Sequence, residues 1–269
     1  MVSSPRILLA AKAADDPLVV KTLCLLRDFY KTNTQIKESH GLTHVLAVYR
    51  HAVHAIDSVE DSRFTHPDAV EILLAALLHD VDDRKYFPDQ AADDCLNAKN
   101  ILNNANVPDQ AIARVHSMVQ MVSCSKNGNS VPEEIRESNR YYKLIPRWSD
   151  RLEAVGRQGV VRCYQYAKEK NNPLSSNASP KATTLAEMWE FASPSRFDQY
   201  QSSGGNSADM ISHYYDKLLH VARPPKEIVQ NRYLEEQAEA SVAPLIEVCL
   251  RFGQTGTVDE KYLQALASE

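Results

Sequence analysis

Glycine is scarce in this sequence, eight in 269 residues, about 3% where about 7% is usual. That shortage argues against a fold built on tight turns and leaves no Gly-rich loop to cradle a phosphate chain. Cysteine is sparse as well. Cys24, Cys95, Cys124, Cys163 and Cys249 are an odd set without a CxxC pair, which excludes a disulfide framework or a thiolate zinc site as the organising principle. No apolar stretch reaches the length of a membrane span. The opening MVSSPRILLAAKAADD offers one Arg before an apolar patch too short for the core of a secretion signal. These gaps lead to the expectation of a soluble, cytoplasmic protein. Nor is there an excess of positive charge. Thirty basic and 35 acidic residues give a net charge of −5, with both signs interspersed, so neither nucleic acid nor an anionic membrane is an expected partner. A small charged metabolite remains open. GxSxG, internal repeats and strand-like alternation are missing too.

What is present is Ala, Leu, Glu and Gln at helical spacing. Pro17 behind Asp16 predicts a helix start, followed by Leu18, Val19, Leu23, Leu26 and Phe29. Residues 41–59 place Val45, Val48, Ala52, Ala55, Ile56 and Val59 on one face. Pro67 opens a segment in which Val70, Leu73, Leu74, Leu77, Leu78 and Val81 recur at steps of three and four, the pattern of a deeply buried helix. Further helices are predicted over 90–104 and 108–123, and from Pro146 through Trp148, Leu152, Val155, Val160, Cys163 and Ala167. Two Ser/Asn/Pro/Gly-rich stretches, 171–183 and 193–207, read as surface loops flanking a helix of barely two turns. Helix resumes from Ala208 to Val221, halts at Pro224-Pro225 and returns to Phe252, with a kink at Pro244 and a stop at Gly253. The expected fold is all-α, and 43% apolar residues suffice for one large domain or two small ones.

The stretch LLAALLHDVDDRKYF, residues 73–87, runs a buried helix straight into His79, Asp80 and two more acids. Charge at a helix end can simply reach water or cap backbone. Two distant segments suggest more: His44 lies one turn into an earlier helix and Asp150 one turn into a later one. If the three helices converge, two imidazoles and two carboxylates meet at one ion. A mixed N/O set without thiolate suits Mn²⁺, Fe²⁺, Ni²⁺ or Mg²⁺, with zinc less favoured.

Four ordered blocks carry a family likeness: SHGLTHVLAV around His40 and His44, AALLHDVDDRK around His79 and Asp80, SDRLEAVGRQGVVR around Asp150, and SHYYDKLLHV around His213 and Lys217. In these the chain resembles the HD superfamily of metal-dependent phosphohydrolases, close to the small HD proteins that include nucleotide pyrophosphohydrolases. The resemblance implies an HD-domain helical bundle with a C-terminal helical extension, a single domain over residues 1–269 with its core at 16–170 and 208–253. Residues 171–207 would be a variable segment, a lid or a homo-oligomer contact. It implies one divalent metal, manganese among the candidates, on His44, His79, Asp80 and Asp150, and hydrolysis of a phosphoanhydride or phosphoester of a nucleotide or related small phosphate. Asp83 would take a proton from metal-activated water, or be a solvated helix-end acid. Lys85 would contact phosphate, and His40, His213, Lys217 and Arg232 would join it in binding substrate.

Other histidines have no such role: His51, His54 and His66 read as structural or surface residues. The chain departs from the subgroup at Ala47, where relatives often carry Arg, and at Trp148, where an acid is common. Two other functions fit the same blocks. One is a non-catalytic module that binds nucleotide or metal. The other is a di-iron oxygenase, which needs two more histidines between the HD pair and the final Asp, where this chain has His116 alone.

Overall fold

The computed structural model describes residues 7–37, 40–89 and 94–268, and every regular element among these is a helix. In chain order they are α1 (Ile7–Ala14), α2 (Pro17–Thr32), α3 (Leu42–Asp57), α4 (His66–Leu78), α5 (Leu96–Asn104) and α6 (Asp109–Gln120). Then come α7 (Cys124–Asn127), α8 (Glu133–Ser138), α9 (Ile145–Leu152), α10 (Gly156–Glu169), α11 (Leu185–Phe191) and α12 (Pro194–Ser202). The last six are α13 (Met210–His213), α14 (Leu219–Val221), α15 (Lys226–Val229), α16 (Arg232–Ala240), α17 (Val242–Thr255) and α18 (Glu260–Ser268). A π-helical turn, Tyr214–Leu218, joins α13 to α14. No helix of the described residues is long and apolar enough to cross a membrane. The all-α expectation holds.

The chain divides into two compact units. The first comprises residues up to Val122, then Val131–Asp150 and Val229–Leu234. Its spine is α4, in which every residue from Ala69 to Leu78 is buried. A helix apolar on all sides must be enclosed by neighbours, and α1, α2, α3 and α6 pack against it. Burying each of its leucines contributes about 2 kcal/mol. Thr65 and Asp68 start it with a reciprocal capping box, worth about 1 kcal/mol. The one charged side chain in the buried stretch, Glu71, accepts from Arg114 of α6: Nε lies 3.0 and 2.9 Å from its two oxygens and Nη2 2.7 Å from Oε1.

The second unit comprises Ser123–Ser130, Arg151–Ile228 and Glu235 onward. Within it α10 packs on α17 and α18, α11 on α17, and α12 on α7 and the π turn. Arg196 of α12 donates from Nε to Asp216 Oδ1 at 2.7 Å, fastening that turn.

Several predicted boundaries are corrected. The helix expected from Pro146 to Ala167 is two: α9 stops at Leu152, and Gly156, at φ +65°, turns the chain while its N–H donates to Ser241 O at 3.0 Å. The stretch 193–207 is not a bare loop. Ser193 and Pro194 launch α12, whose Phe197 and Tyr200 are buried, so two apolar anchors outweigh the polar composition. The long C-terminal helix breaks at Gln230 (φ +47°) and Ser241 rather than kinking at Pro244, which sits in the first turn of α17, where its missing N–H costs nothing. Gly253 is inside α17, and the left-handed cap is Gly256 at φ +69°. Of the helix predicted over 90–104, residues 90–93 lie outside the described residues and the helix begins at Leu96. Asp82 supplies its cap from a distance, accepting the N–H groups of Asn97 and Ala98 at 2.8 and 2.9 Å. Elements α1, α7, α8 and α18 add to those predicted.

Candidate metal centre

The last turn of α4 leaves backbone carbonyls without helical partners, and His79, just past its end, takes one of them: Nδ1 donates to Ala76 O at 2.9 Å. A carbonyl can only accept, so the proton is on Nδ1 and Nε2 faces the other way. There it meets His44 from the first turn of α3, 4% exposed, with the two Nε2 atoms 3.2 Å apart. Asp150, near the end of α9, brings Oδ1 to 3.3 Å from His44 Nε2 and 3.5 Å from His79 Nε2. Asp80 Oδ2 stands 3.4 Å from each of the same nitrogens.

These separations suit one cation. Ligands about 2.1 Å from an ion lie about 3.0 Å apart at right angles and about 3.4 Å apart at the tetrahedral angle. The donor atoms of His44, His79 and Asp150 all fall within 4.8 Å of one another, and this buried cluster could hold a metal ion. Donor chemistry agrees, since two imidazole nitrogens and two carboxylates suit a borderline or hard divalent ion. His44 Nδ1 is buried without a hydrogen-bond partner, so His44, unlike His79, has no backbone acceptor to aim it. The same convergence perturbs titration. Burial works against charge on His79, but Asp80 and Asp150 outweigh it and hold the pKa well above the ordinary histidine value. Burial likewise raises both carboxylates, and the two imidazoles more than reverse this, leaving Asp80 and Asp150 well below the usual range.

Beside this cluster the segment 80–87 gathers three more groups. Asp83 Oδ1 accepts the Lys85 N–H at 2.9 Å, and Oδ2 lies 3.7 Å from Lys85 Nζ and 4.0 Å from His40 Nε2. Burial raises the Asp83 pKa, Lys85 opposes this, and Asp80 adds to the rise. An acid shifted in that direction is a better proton acceptor near neutrality than an ordinary carboxylate. Lys85 Nζ reaches His40 Nε2 at 3.1 Å.

Sequence reasoning missed two tyrosines here. Tyr86 places its hydroxyl 3.4 Å from His40 Nδ1. Tyr30, near the end of α2, has a buried hydroxyl without a hydrogen-bond partner, and its pKa is held above the phenol range by burial and then by Asp80 and Asp83. Tyr86 adjoins Lys85 and could have been read with it; nothing in the sequence ties Tyr30 to the HD pair.

Three more residues are expected substrate contacts. His213 and Lys217 belong to the second unit. There His213 Nδ1 is 3.2 Å from Ser207 Oγ, and Lys217, inside the π turn, bonds the Tyr200 hydroxyl. Arg232 stands exposed at the first residue of α16. The histidines set aside have structural partners: His51 Nδ1 with the Tyr233 hydroxyl at 2.8 Å, His54 against the Tyr233 ring, and His66 Nε2 with Asp16 Oδ2 at 3.0 Å. His116 Nε2 pairs with Gln120 at 3.2 Å. Trp148 is a core residue, 3% exposed.

No family model matches the chain. An uncharacterized protein of Acanthamoeba polyphaga mimivirus is 35% identical over 227 residues, covering 79% of this chain and 88% of that protein. A crystal structure of a Lactobacillus plantarum protein, solved as a structural genomics target, is similar with a TM-score of 0.57 and 18% identity, over 94% of this chain and 97% of that one. At that identity the likeness is one of fold.

Proposed function

We propose that this chain, which belongs to one family with the mimivirus protein, is a metal-dependent phosphohydrolase acting on a nucleotide or a related small phosphate. The observation that carries the reading is the meeting of His44, His79, Asp80 and Asp150 at one point, reinforced by the likeness of four sequence blocks to the HD superfamily. One group of three ligands is found among the described residues, which supports one ion rather than two. A divalent ion held there would supply Lewis acidity to a phosphoryl oxygen and acidify water. Asp83 would take the proton of the attacking water on its carboxylate as the new P–O bond forms and the bond to the leaving group breaks. Lys85 offers an ammonium for charge that grows on phosphoryl oxygens.

The test is a metal analysis of untreated protein followed by a nucleotide panel with Mn²⁺, Ni²⁺ or Mg²⁺, scored for both phosphate and pyrophosphate. Metal-dependent release of either is expected. Tight nucleotide binding without turnover would point to a binding module, and neither metal nor turnover would overturn the reading.

A further inference from the structure

His40 is bracketed by two polar groups, Lys85 Nζ at 3.1 Å from Nε2 and the Tyr86 hydroxyl at 3.4 Å from Nδ1. An ammonium has protons to give and no lone pair to offer. His40 Nε2 must therefore present its lone pair to Lys85. The ring's proton is then on Nδ1, and Tyr86 Oη, facing it, is the acceptor. Asp83 stands beside both groups, with Oδ2 3.7 Å from Lys85 Nζ and 4.0 Å from His40 Nε2 and Oδ1 engaged by the Lys85 backbone N–H. Tyrosine, histidine and lysine thus stand in sequence, and the carboxylate closes a triangle with the last two.

We infer that Tyr86 is a positioning residue: by accepting the Nδ1–H of His40 it locks, jointly with Lys85 at Nε2, the tautomer and pose of that ring, and so keeps the Lys85 ammonium beside Asp83. His40 then serves as a neutral strut for Lys85 rather than as a second cation for the substrate. The tautomer stands on distances alone; the purpose given to Lys85, holding a phosphate, rests on the phosphohydrolase reading.

Long-range proton–nitrogen NMR of the histidine-labelled full-length protein reads the tautomer directly. The wild type is expected to show His40 protonated on Nδ1. Tyr86→Phe, which keeps the ring and removes the acceptor, shifts the pattern toward a mixture of tautomers. Lys85→Met does the same by freeing Nε2, and because Lys85 is exposed that replacement leaves the fold intact. In calorimetry with inorganic phosphate and magnesium-loaded protein, Tyr86→Phe weakens phosphate about fivefold, the loss expected for one hydrogen bond, while metal stoichiometry is unchanged. A wild-type His40 protonated on Nε2, or a Tyr86→Phe spectrum identical to wild type, overturns the inference. A wild type that takes up metal but turns over no nucleotide of the panel defeats the phosphohydrolase reading instead, and the spectra still decide the tautomer.

Discussion

His79 uses both ring nitrogens, one to close the end of α4 on Ala76 O and the other to face His44, Asp80 and Asp150. Asp150 is the most separable member of the group because it arrives from another helix and its side chain is 26% exposed. Asp150→Ala is expected to leave the far-UV circular dichroism unchanged and to lower metal affinity by more than the about 10- to 100-fold lost when a ligand merely loses its hydrogen-bond partner. Full metal content in that variant would mean the ligand set is wrong. His51→Ala is the control: it gives up the bond to Tyr233, about 1 kcal/mol of stability, and keeps its metal. The meeting of His44, His79 and Asp150 was legible because each falls at a point where helical periodicity starts or stops. Tyr30 was not, since its relation to Asp80 and Asp83 arises only when α2 packs on α4, a contact with no local signature.

Among elements, those with a single dominant instruction were read correctly. Asp16-Pro17 starts α2, with Asp16 accepting the Leu18 N–H at 2.9 Å, and the apolar run of α4 is the buried spine. Errors came where tertiary contact overrides local preference. Gly156 looks tolerable inside a helix, but Ser241 draws its N–H away. Gly253 looks like a stop, yet it is the point where the Ala182 backbone comes so close that a Cβ would overlap the carbonyl. Gly253→Ala is expected to cost about 1 to 3 kcal/mol through that overlap. Gly204→Ala, at φ +73° with open space around it, should cost about 1 kcal/mol through backbone conformation alone. Urea unfolding of the two variants separates the causes, and equal losses would remove the close-packing explanation.

For the whole molecule, an ion that binds the folded chain alone stabilises it. At a hundredfold excess over Kd the gain is about 2.7 kcal/mol, a rise of about 5 °C in Tm for a protein of this size, and a chelator should reverse it. The gain should shrink as pH falls. The raised pKa of His79 means that an incoming ion must displace a proton, and acidification makes the proton the stronger competitor. Thermal melts with and without metal across pH check both points; an increment that grows on acidification would contradict the site. With a net charge of −5, local arrangement rather than bulk charge would have to recruit the small phosphate of the proposed function.

The bond from His79 to Ala76 O also bears on how the centre fills. Because this imidazole is aimed by main chain, it need not search for its ligating pose when a cation arrives. Entry of an ion would then be paced by how readily it sheds its own hydration shell, and magnesium, which parts with water reluctantly, should load more slowly than ions that surrender it easily.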